Sequence, residues 1–374
     1  MNRVVIVSPA PPFKGGISDS TINLYNYLSV DYSVKIISFS RLYPKILFPG
    51  KEQKSPGNYS DKNISNVIDS INPKSWVEAA KEITKYNPEL VLFRYWNPFF
   101  AICFISIIKL IRRSLNNVKV LGICDNIFPH EKIYLQFFFA RQFVSNLDAI
   151  ITMSAKVSED FNALSVNIKS TTLYHPLFDI YEEKIPHYDA KKELLIKKSK
   201  KVILFFGFIR GYKGFDIFIK VAKLLEDKRP DITFLVAGEL YEKTNYYHDL
   251  IGSSKNIIWH DEYIPNNRIH YYFSASDLLL LPYKSITQSG VVSLALSYKC
   301  PVMISNVGSV GDIIKNGQNG IIVDSQLPES YAQRILNYFD SSEPKDLSHS
   351  IRNSCSRFGW SDFTKGIIDI YNEL

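Results

Sequence analysis

The residues Phe205 to Asp216, FFGFIRGYKGFD, put two cations, Arg210 and Lys213, into a glycine turn between an apolar run and a helix-period segment opening at Gly214. A turn of this kind gathers backbone N–H groups and the positive end of a helix dipole at one point. Hydrogen bonds from charged groups add about 1.5–3 kcal/mol each. The chemistry suggested is phosphate binding. The nucleotide-triphosphatase order G-x-x-x-x-G-K-[ST] is excluded, because Gly214 follows Lys213. A βα turn with two solvated cations is the plain alternative.

Other segments carry similar chemistry. After the first apolar run, PPFKGGIS leads through Gly15 and Gly16 into a helix, either as a tight turn or as a close backbone approach to a ligand. It is not G-x-G-x-x-G, so a nicotinamide reading is weak. Asp125, Asn126 and His130 follow another apolar run, where carboxylate, amide and imidazole suit hydroxyl recognition or proton transfer; a structural histidine is the bland reading. Further on, a run ends in Ala-Gly-Glu at Glu239, HDEYIP carries Tyr263 and Ile264, and LPYKSITQSGVV sets Thr287, Gln288, Ser289, Gly290 and Val291 at a strand-to-helix turn suited to anions.

The elements that must position these residues alternate along the chain. Short apolar runs predict strands at Val4–Ser8, Val34–Ser38, Leu90–Arg94, Val118–Cys124 and Ala149–Thr152. A second set follows at Val202–Phe206, Ile232–Ala237, Ile257–Trp259, Leu278–Leu281, Val302–Ser305 and Gly320–Val323. Helix-period stretches lie between, among them Asp19–Leu28, Lys74–Tyr86, Phe99–Leu115 and Lys132–Val144. Little polar alternation within the runs argues for parallel sheets covered on both faces. With 374 residues, two domains are expected. The charged passage 179–200 reads as a linker, and Ser40 to Asp61 reads as a long surface loop.

A net charge of +7 suits anionic ligands or an anionic membrane surface, while the absence of a dense Lys/Arg block argues against nucleic acid. Cys103, Cys124, Cys300 and Cys355 are scattered and form neither a disulfide framework nor a metal site, so reduced thiols and a cytoplasmic setting are expected. MNRVVIVSPAPP has too short an apolar run and too early a proline pair for the pattern of a signal peptide, so export is not expected. FFAICFISIIKLI, Phe99 to Ile111, is too short to span a bilayer. It is either a helix buried on a sheet or a helix lying in the headgroup plane with Arg112 and Arg113 on anionic lipid.

In order and spacing these motifs resemble the retaining glycosyltransferases of family 4, over nearly the whole chain. The likeness rests on the GG turn, N-x-x-PHE from Asn126 to Glu131, the pair His175–Pro176, FFGFIR-x-YKG, the AGE strand end, YIP, ASD–LPY, TQSG, Pro301–Val302 and the Trp360 helix. The resemblance implies a GT-B fold, α/β, with two Rossmann-like doubly wound parallel-sheet domains facing a central cleft. The expected bounds are 1–178, the linker 179–200, 201–358, and a helix at 359–374 returning to the first domain. It implies a UDP- or GDP-linked sugar donor, with Gly207, Arg210, Lys213, Glu239, Tyr263, Ile264 and Thr287 to Val291 around it. Arg210 and Lys213 would stabilise the departing diphosphate, Asp125 and His130 would stand at the reacting sugar, and Gly15, Gly16 and Asn126 would serve the acceptor or diphosphate. No D-x-D occurs, and neither a metal nor another cofactor is expected. The acceptor implied is a lipid-linked glycan of a surface polysaccharide such as O-antigen or capsule, met by a peripheral enzyme at the inner membrane face.

Two departures qualify the carry-over. The family's two glutamates, seven residues apart, fall at Ile286 or Thr287 and at Leu294 here, and Thr287 and Gln288 are the expected substitutes. Asp125 occupies the place of a histidine, and an ionised carboxylate accepts but cannot donate a hydrogen bond. The rival readings are a non-catalytic nucleotide-sugar-binding or scaffold protein, and another two-Rossmann enzyme such as a nucleotide-sugar epimerase or a phosphorylase-like protein.

Overall fold

A computed structural model describes residues 1–44, 52–55, 61–128, 135–242, 244–287, 289–340, 347, 351 and 358–374. His130, Glu131, Gln288, Cys355 and most of the expected 40–61 loop lie outside the described residues. The chain divides into two compact units. One is formed by 1–48, 52–176 and 358–374, the other by 49–51 and 177–357.

The first unit runs β1 (Arg3–Val7), α1 (Gly16–Leu28), β2 (Ser33–Arg41), β3 (Ile64–Asp69), α2 (Pro73–Tyr86), β4 (Leu90–Tyr95), α3 (Ala101–Ser114), β5 (Lys119–Cys124), α4 (Gln136–Val144), β6 (Ala149–Thr152), α5 (Ala155–Ala163) and β7 (Lys169–Thr172). Its seven strands are ordered β3-β2-β1-β4-β5-β6-β7, and every pairing between them is parallel. The second unit contains α6 (His187–Glu193), β8 (Lys201–Phe206), α7 (Phe215–Leu225), β9 (Ile232–Ala237), α8 (Tyr246–Ile251), β10 (Ile257–His260), α9 (Ile269–Ala275), β11 (Leu278–Leu281), α10 (Gly290–Ser297), β12 (Val302–Ser305), α11 (Val310–Ile313), β13 (Gly320–Val323) and α12 (Pro328–Asp340). Its six strands follow the order β10-β9-β8-β11-β12-β13, again parallel. A last helix, α13 (Trp360–Asn372), belongs to the first unit.

Burial explains why these runs become central strands. Every residue of β4 and of β9 is buried, as a strand covered on both faces requires. Local chemistry sets several helix ends. Asn72 caps α2 by accepting from the Lys74 amide, Pro73 takes the first helical position, and Asn87 closes the helix in the left-handed region. Ser154 caps α5 by accepting from the Val157 amide.

Two strands are absent from the apolar pattern. β7 is KSTT and β3 has one fully buried position, because both are sheet edges with a face toward water. The passage 179–200 is not structureless: it holds α6, which packs on α9. The Ile185 amide donates to Ser274 Oγ at 3.1 Å, and His187 Nδ1 lies 2.7 Å from the Ser274 carbonyl. Asp277 ties the same region together, accepting from the Val202 amide at 2.8 Å with Lys191 Nζ 3.8 Å away.

The apolar run Phe99 to Ile111 is spent on the core. Ala101, Cys103, Phe104, Ile107, Ile108 and Ile111 of α3 are buried against the sheet, and Arg112 pairs with Asp148 at 3.0 Å rather than facing outward alone. The in-plane reading of that helix is therefore corrected. No helix among the described residues is long and apolar enough to cross a membrane.

On the opposite face, α13 lays Trp360, Phe363, Ile367 and Ile370 against the β1, β4, β5 and β6 side chains, with Trp360 stacked on Tyr27 at 6.2 Å. Ile367 is fully buried. Ile367→Ala should lower stability by about 2–5 kcal/mol, as deletion of a buried branched side chain leaves a cavity; urea unfolding of the full chain measures it.

Candidate functional site

In the second sheet the strand order reverses between β8 and β11, and ligands of open α/β sheets bind at the carboxyl ends of the strands flanking such a reversal. The turns after β8 and β11 are the FFGFIRGYKG and LPYKSITQSG segments. Topology therefore brings these two turns side by side.

Their contact is close. Gly214 has φ 68°, and a Cβ there would fall 1.8 Å from the Pro282 carbonyl oxygen, so only glycine fits. The Lys284 amide donates to the Tyr212 carbonyl at 2.7 Å, and Lys284 Nζ pairs with Asp216 at 2.8 Å. The Gly211 amide donates to Glu242 Oε1, which anchors the turn from the β9 side. Ser289 caps α10, its Oγ accepting from the Val292 amide at 3.3 Å, so the hydroxyl is used by its own helix and the amides of Gly290 and Val291 remain at the helix start.

Gly207 closes β8 with φ 90°, and a methyl group placed on it would lie 3.3 Å from Lys213 Nζ and 3.3 Å from Val291 Cγ2. The strand-end glycine, the lysine and the first turn of α10 thus share one small volume. Burial, and then the charge of Arg210, lowers the Lys213 pKa from its ordinary value to about 7. Neither Lys213 nor Arg210 forms an ion pair with a carboxylate among the described residues. Arg210 lies with its guanidinium carbon 5.3 Å from the centre of the Tyr241 ring.

Tyr241 continues into an aromatic set missed by the sequence reading. Phe208 packs on Tyr241 at 4.2 Å and on Tyr263 at 5.9 Å. Glu239 and Ile264 are buried nearby in the chain, 2% and 5% exposed. Phe208 was hidden in a hydrophobic run, where nothing marks a ring that stays partly exposed at the strand's end.

The positions of the absent glutamates are filled by apolar packing: Ile286 is 7% exposed and Leu294 on α10 is 4% exposed. A Cβ on Gly308 would meet the Ile286 carbonyl oxygen at 1.7 Å, so the loop after β12 presses directly on this turn. Thr287 is partly buried beside it.

In the first sheet the order reverses between β1 and β4. Gly15, with φ 106°, opens α1 and Gly16 is its first residue. Asp125 lies at the end of β5, 4% exposed, and receives Arg94 Nε at 2.7 Å and Nη2 at 2.8 Å in a two-pronged bond. Arg94, 3% exposed, also donates to Ser20 Oγ at 2.7 Å. His175 is buried by this pair, its Nδ1 2.7 Å from the Pro176 carbonyl, and burial followed by the Arg94 charge lowers its pKa to about 4. Asp125 is thus engaged with a buried guanidinium. Asn126 follows it, partly exposed. Arg94 and Ser20 were overlooked because a cation inside an apolar run and a helix serine carry no motif.

Residues 188–354 match the family model described as Glycosyl transferases group 1. The chain is similar to spore coat protein SA of Bacillus subtilis (strain 168), 23% identical over 288 residues, 71% of this chain and 75% of that protein. It is similar to D-inositol 3-phosphate glycosyltransferase of Paenarthrobacter aurescens (strain TC1), 27% identical over 179 residues, 46% of this chain and 43% of that one. Among solved structures, Anabaena HepE in complex with UDP-glucose superposes with a TM-score of 0.78 at 13% identity, covering 100% of both chains. Sucrose-phosphate synthase from Thermosynechococcus elongatus gives 0.77 at 14% identity, covering 100% of this chain and 99% of that one.

Removing one member of a buried ion pair costs about 3–5 kcal/mol. Asp125→Asn should therefore destabilise the chain by that order, visible as a lower thermal midpoint; an unchanged midpoint alongside lost turnover would return Asp125 to a role at the substrate.

Proposed function

We propose, for a chain that carries a group 1 glycosyltransferase domain on a fold of two Rossmann-like units, that it transfers a sugar from a UDP- or GDP-linked donor to a lipid-linked glycan, with retention at the anomeric carbon. The observation that carries this reading is the convergence of Arg210 and Lys213 beside Gly207 and the start of α10, with neither cation in a salt bridge to a carboxylate among the described residues. Two cations so placed are costly unless they meet an anion, and a nucleoside diphosphate carries its charge where they converge.

As the bond between the sugar's anomeric carbon and the diphosphate breaks, negative charge grows on the leaving phosphate oxygen. Lys213, Arg210 and the Gly290 and Val291 amides would stabilise it, and removing one such preorganised donor in other enzymes costs about 10²–10³ in rate. These groups supply the positive charge that a metal ion would otherwise bring. Phe208, Tyr241 and Tyr263 offer aromatic faces for the nucleotide base, with Glu239 and the Ile264 backbone beside it. Gly15, Gly16 and Asn126 would serve the acceptor or diphosphate, while Thr287 with Gln288 would replace the absent glutamates. Anabaena HepE, solved with UDP-glucose, and the inositol phosphate glycosyltransferase similarity support the donor class. The acceptor, a surface polysaccharide intermediate such as O-antigen or capsule, and a peripheral position at the cytoplasmic membrane face rest on the family resemblance and the +7 charge.

Ile286 and Leu294 in place of carboxylates favour a second reading, a nucleotide-sugar-binding protein without turnover. An epimerase would convert the donor without acceptor, which separates it from both.

Calorimetric titration with UDP and GDP, without added metal, should show selective binding of one nucleotide, and Lys213→Ala should remove it while the thermal midpoint is kept. Retained binding in that variant would refute the donor site. Proton linkage gives an independent check. Free Lys213 has a pKa of about 7, so near pH 8 most of it is neutral, whereas a bound diphosphate would hold it charged. Binding at pH 8 should take up close to one proton, read from the heat in two buffers of different ionisation enthalpy, and uptake should fall away below pH 7.

A further inference from the structure

The turn that carries Arg210 and Lys213 is held along one side by the chain leaving β9. The Gly207 amide donates to the Ala237 carbonyl at 2.9 Å, the Ile209 amide donates to the Glu239 carbonyl at 2.9 Å, and the Tyr241 amide returns a bond to the Ile209 carbonyl at 3.0 Å. Parallel pairing thus continues past the ends of both strands. The next amide of this alternating series, that of Gly211, donates to Glu242 Oε1. A side chain therefore extends the ladder at the point where the single helical turn Gly211–Lys213 begins.

The carboxylate is itself held in place. Tyr247 Oη donates to Glu242 Oε2 at 3.2 Å, and the Thr244 amide donates to the Glu242 carbonyl at 3.0 Å. The buried Tyr247 ring packs on Phe215, the first residue of α7, with ring centres 5.1 Å apart. Glu242 thus clasps both ends of the turn, its first amide directly and the helix that follows through Tyr247. A Cβ on Gly211 would lie 3.2 Å from Glu242 Oε1, so the glycine gives the carboxylate its room. A negative charge beside a turn suited to a diphosphate repels that ligand, so the presence of Glu242 is explained by what it holds and not by contact with the ligand.

We infer that Glu242 is a positioning residue for the donor turn: by accepting the Gly211 amide it aims Arg210 and Lys213 at the diphosphate, and it acts as a hydrogen-bond acceptor rather than as a charge. The inference rests on the donor reading of this turn. With Glu242 in place the turn is already shaped before a ligand arrives, and binding does not have to order it. Without it the turn loosens, and Lys213 leaves its enclosure beside Gly207 for water.

The test is calorimetric titration of the full chain with UDP and with GDP. Glu242→Ala removes the acceptor, whereas Glu242→Gln keeps an amide oxygen for Gly211 and discards the charge. E242A should bind the nucleotide preferred by the wild type about tenfold more weakly, and E242Q should match the wild type or exceed it. Proton uptake at pH 8 separates aiming from simple stability. In E242A a hydrated Lys213 returns toward its ordinary pKa of 10.5 and is charged before binding, so uptake should fall from near one proton to near zero, while E242Q keeps it. Y247F leaves the ring on Phe215 and removes only the hydroxyl on Glu242; it should weaken binding severalfold, and it decides the matter if E242A lacks a folding transition. Wild-type affinity and uptake in E242A, or wild-type affinity in Y247F where E242A does not fold, would overturn the positioning role, and loss of binding in Lys213→Ala would then leave the donor reading standing. Tighter binding by E242A would overturn it by making Glu242 a rival of the diphosphate for the Gly211 amide, and E242Q as weak as E242A would overturn the acceptor role. A wild type that binds neither nucleotide overturns the donor reading and this inference with it.

Discussion

The second unit depends on one close approach, the seating of the turn after β8 against the turn after β11. Gly214 has no side chain and a left-handed backbone, which lets the Pro282 carbonyl come into direct contact. Any Cβ would force the two turns apart. The Lys284–Asp216 pair and the Tyr212 carbonyl then hold the approach from either side. From it follow the direction in which Lys213 points, the exposure of the first amides of α10 and the position of Arg210 over Tyr241. The charged groups gain their effect from this packing, since a lysine on a loose turn would be hydrated and would keep its ordinary pKa.

The first unit is organised around a different interaction, the buried two-pronged bond of Arg94 with Asp125. It joins β4 to β5 at their carboxyl ends and reaches α1 through Ser20. A charge pair this deep is satisfied only by good geometry, and here each prong is within 2.8 Å. Burial, and then the Arg94 charge, favours the neutral state of His175, with Asp125 acting against it. Asp125 thus has its partner within the same unit, and an imidazole at that position would leave Arg94 uncompensated.

Hydrophobicity and exposure separate sharply on the two neighbouring helices. The apolar side of α3 is consumed by the core, while α4, of similar apolar content, keeps its first-turn rings exposed. The ranking of segments by composition therefore does not rank them by availability to a partner. What decides is the number of faces that the sheet and the adjoining helices require.

Much of this architecture was written into the sequence. Largely apolar runs such as LVLFRY and ITFLVA point to central strands, and the glycines around Arg210 and Lys213 mark a βα turn, where Gly207 and Gly214 take positive φ. Order along the chain then fixed two doubly wound sheets and located the phosphate-like turns at strand ends. Contacts distant in sequence were not legible. Edge strands such as KSTT lack an apolar run because one face meets water, and the charges of 187–193 concealed a helix held by Ser274 and Asp277. Only the tertiary structure decided that Asp125 belongs to Arg94, that Phe208 meets Tyr241 and Tyr263, and that Lys213 stands beside Val291, since each pairing joins residues whose types are ordinary alone and whose proximity is set by packing.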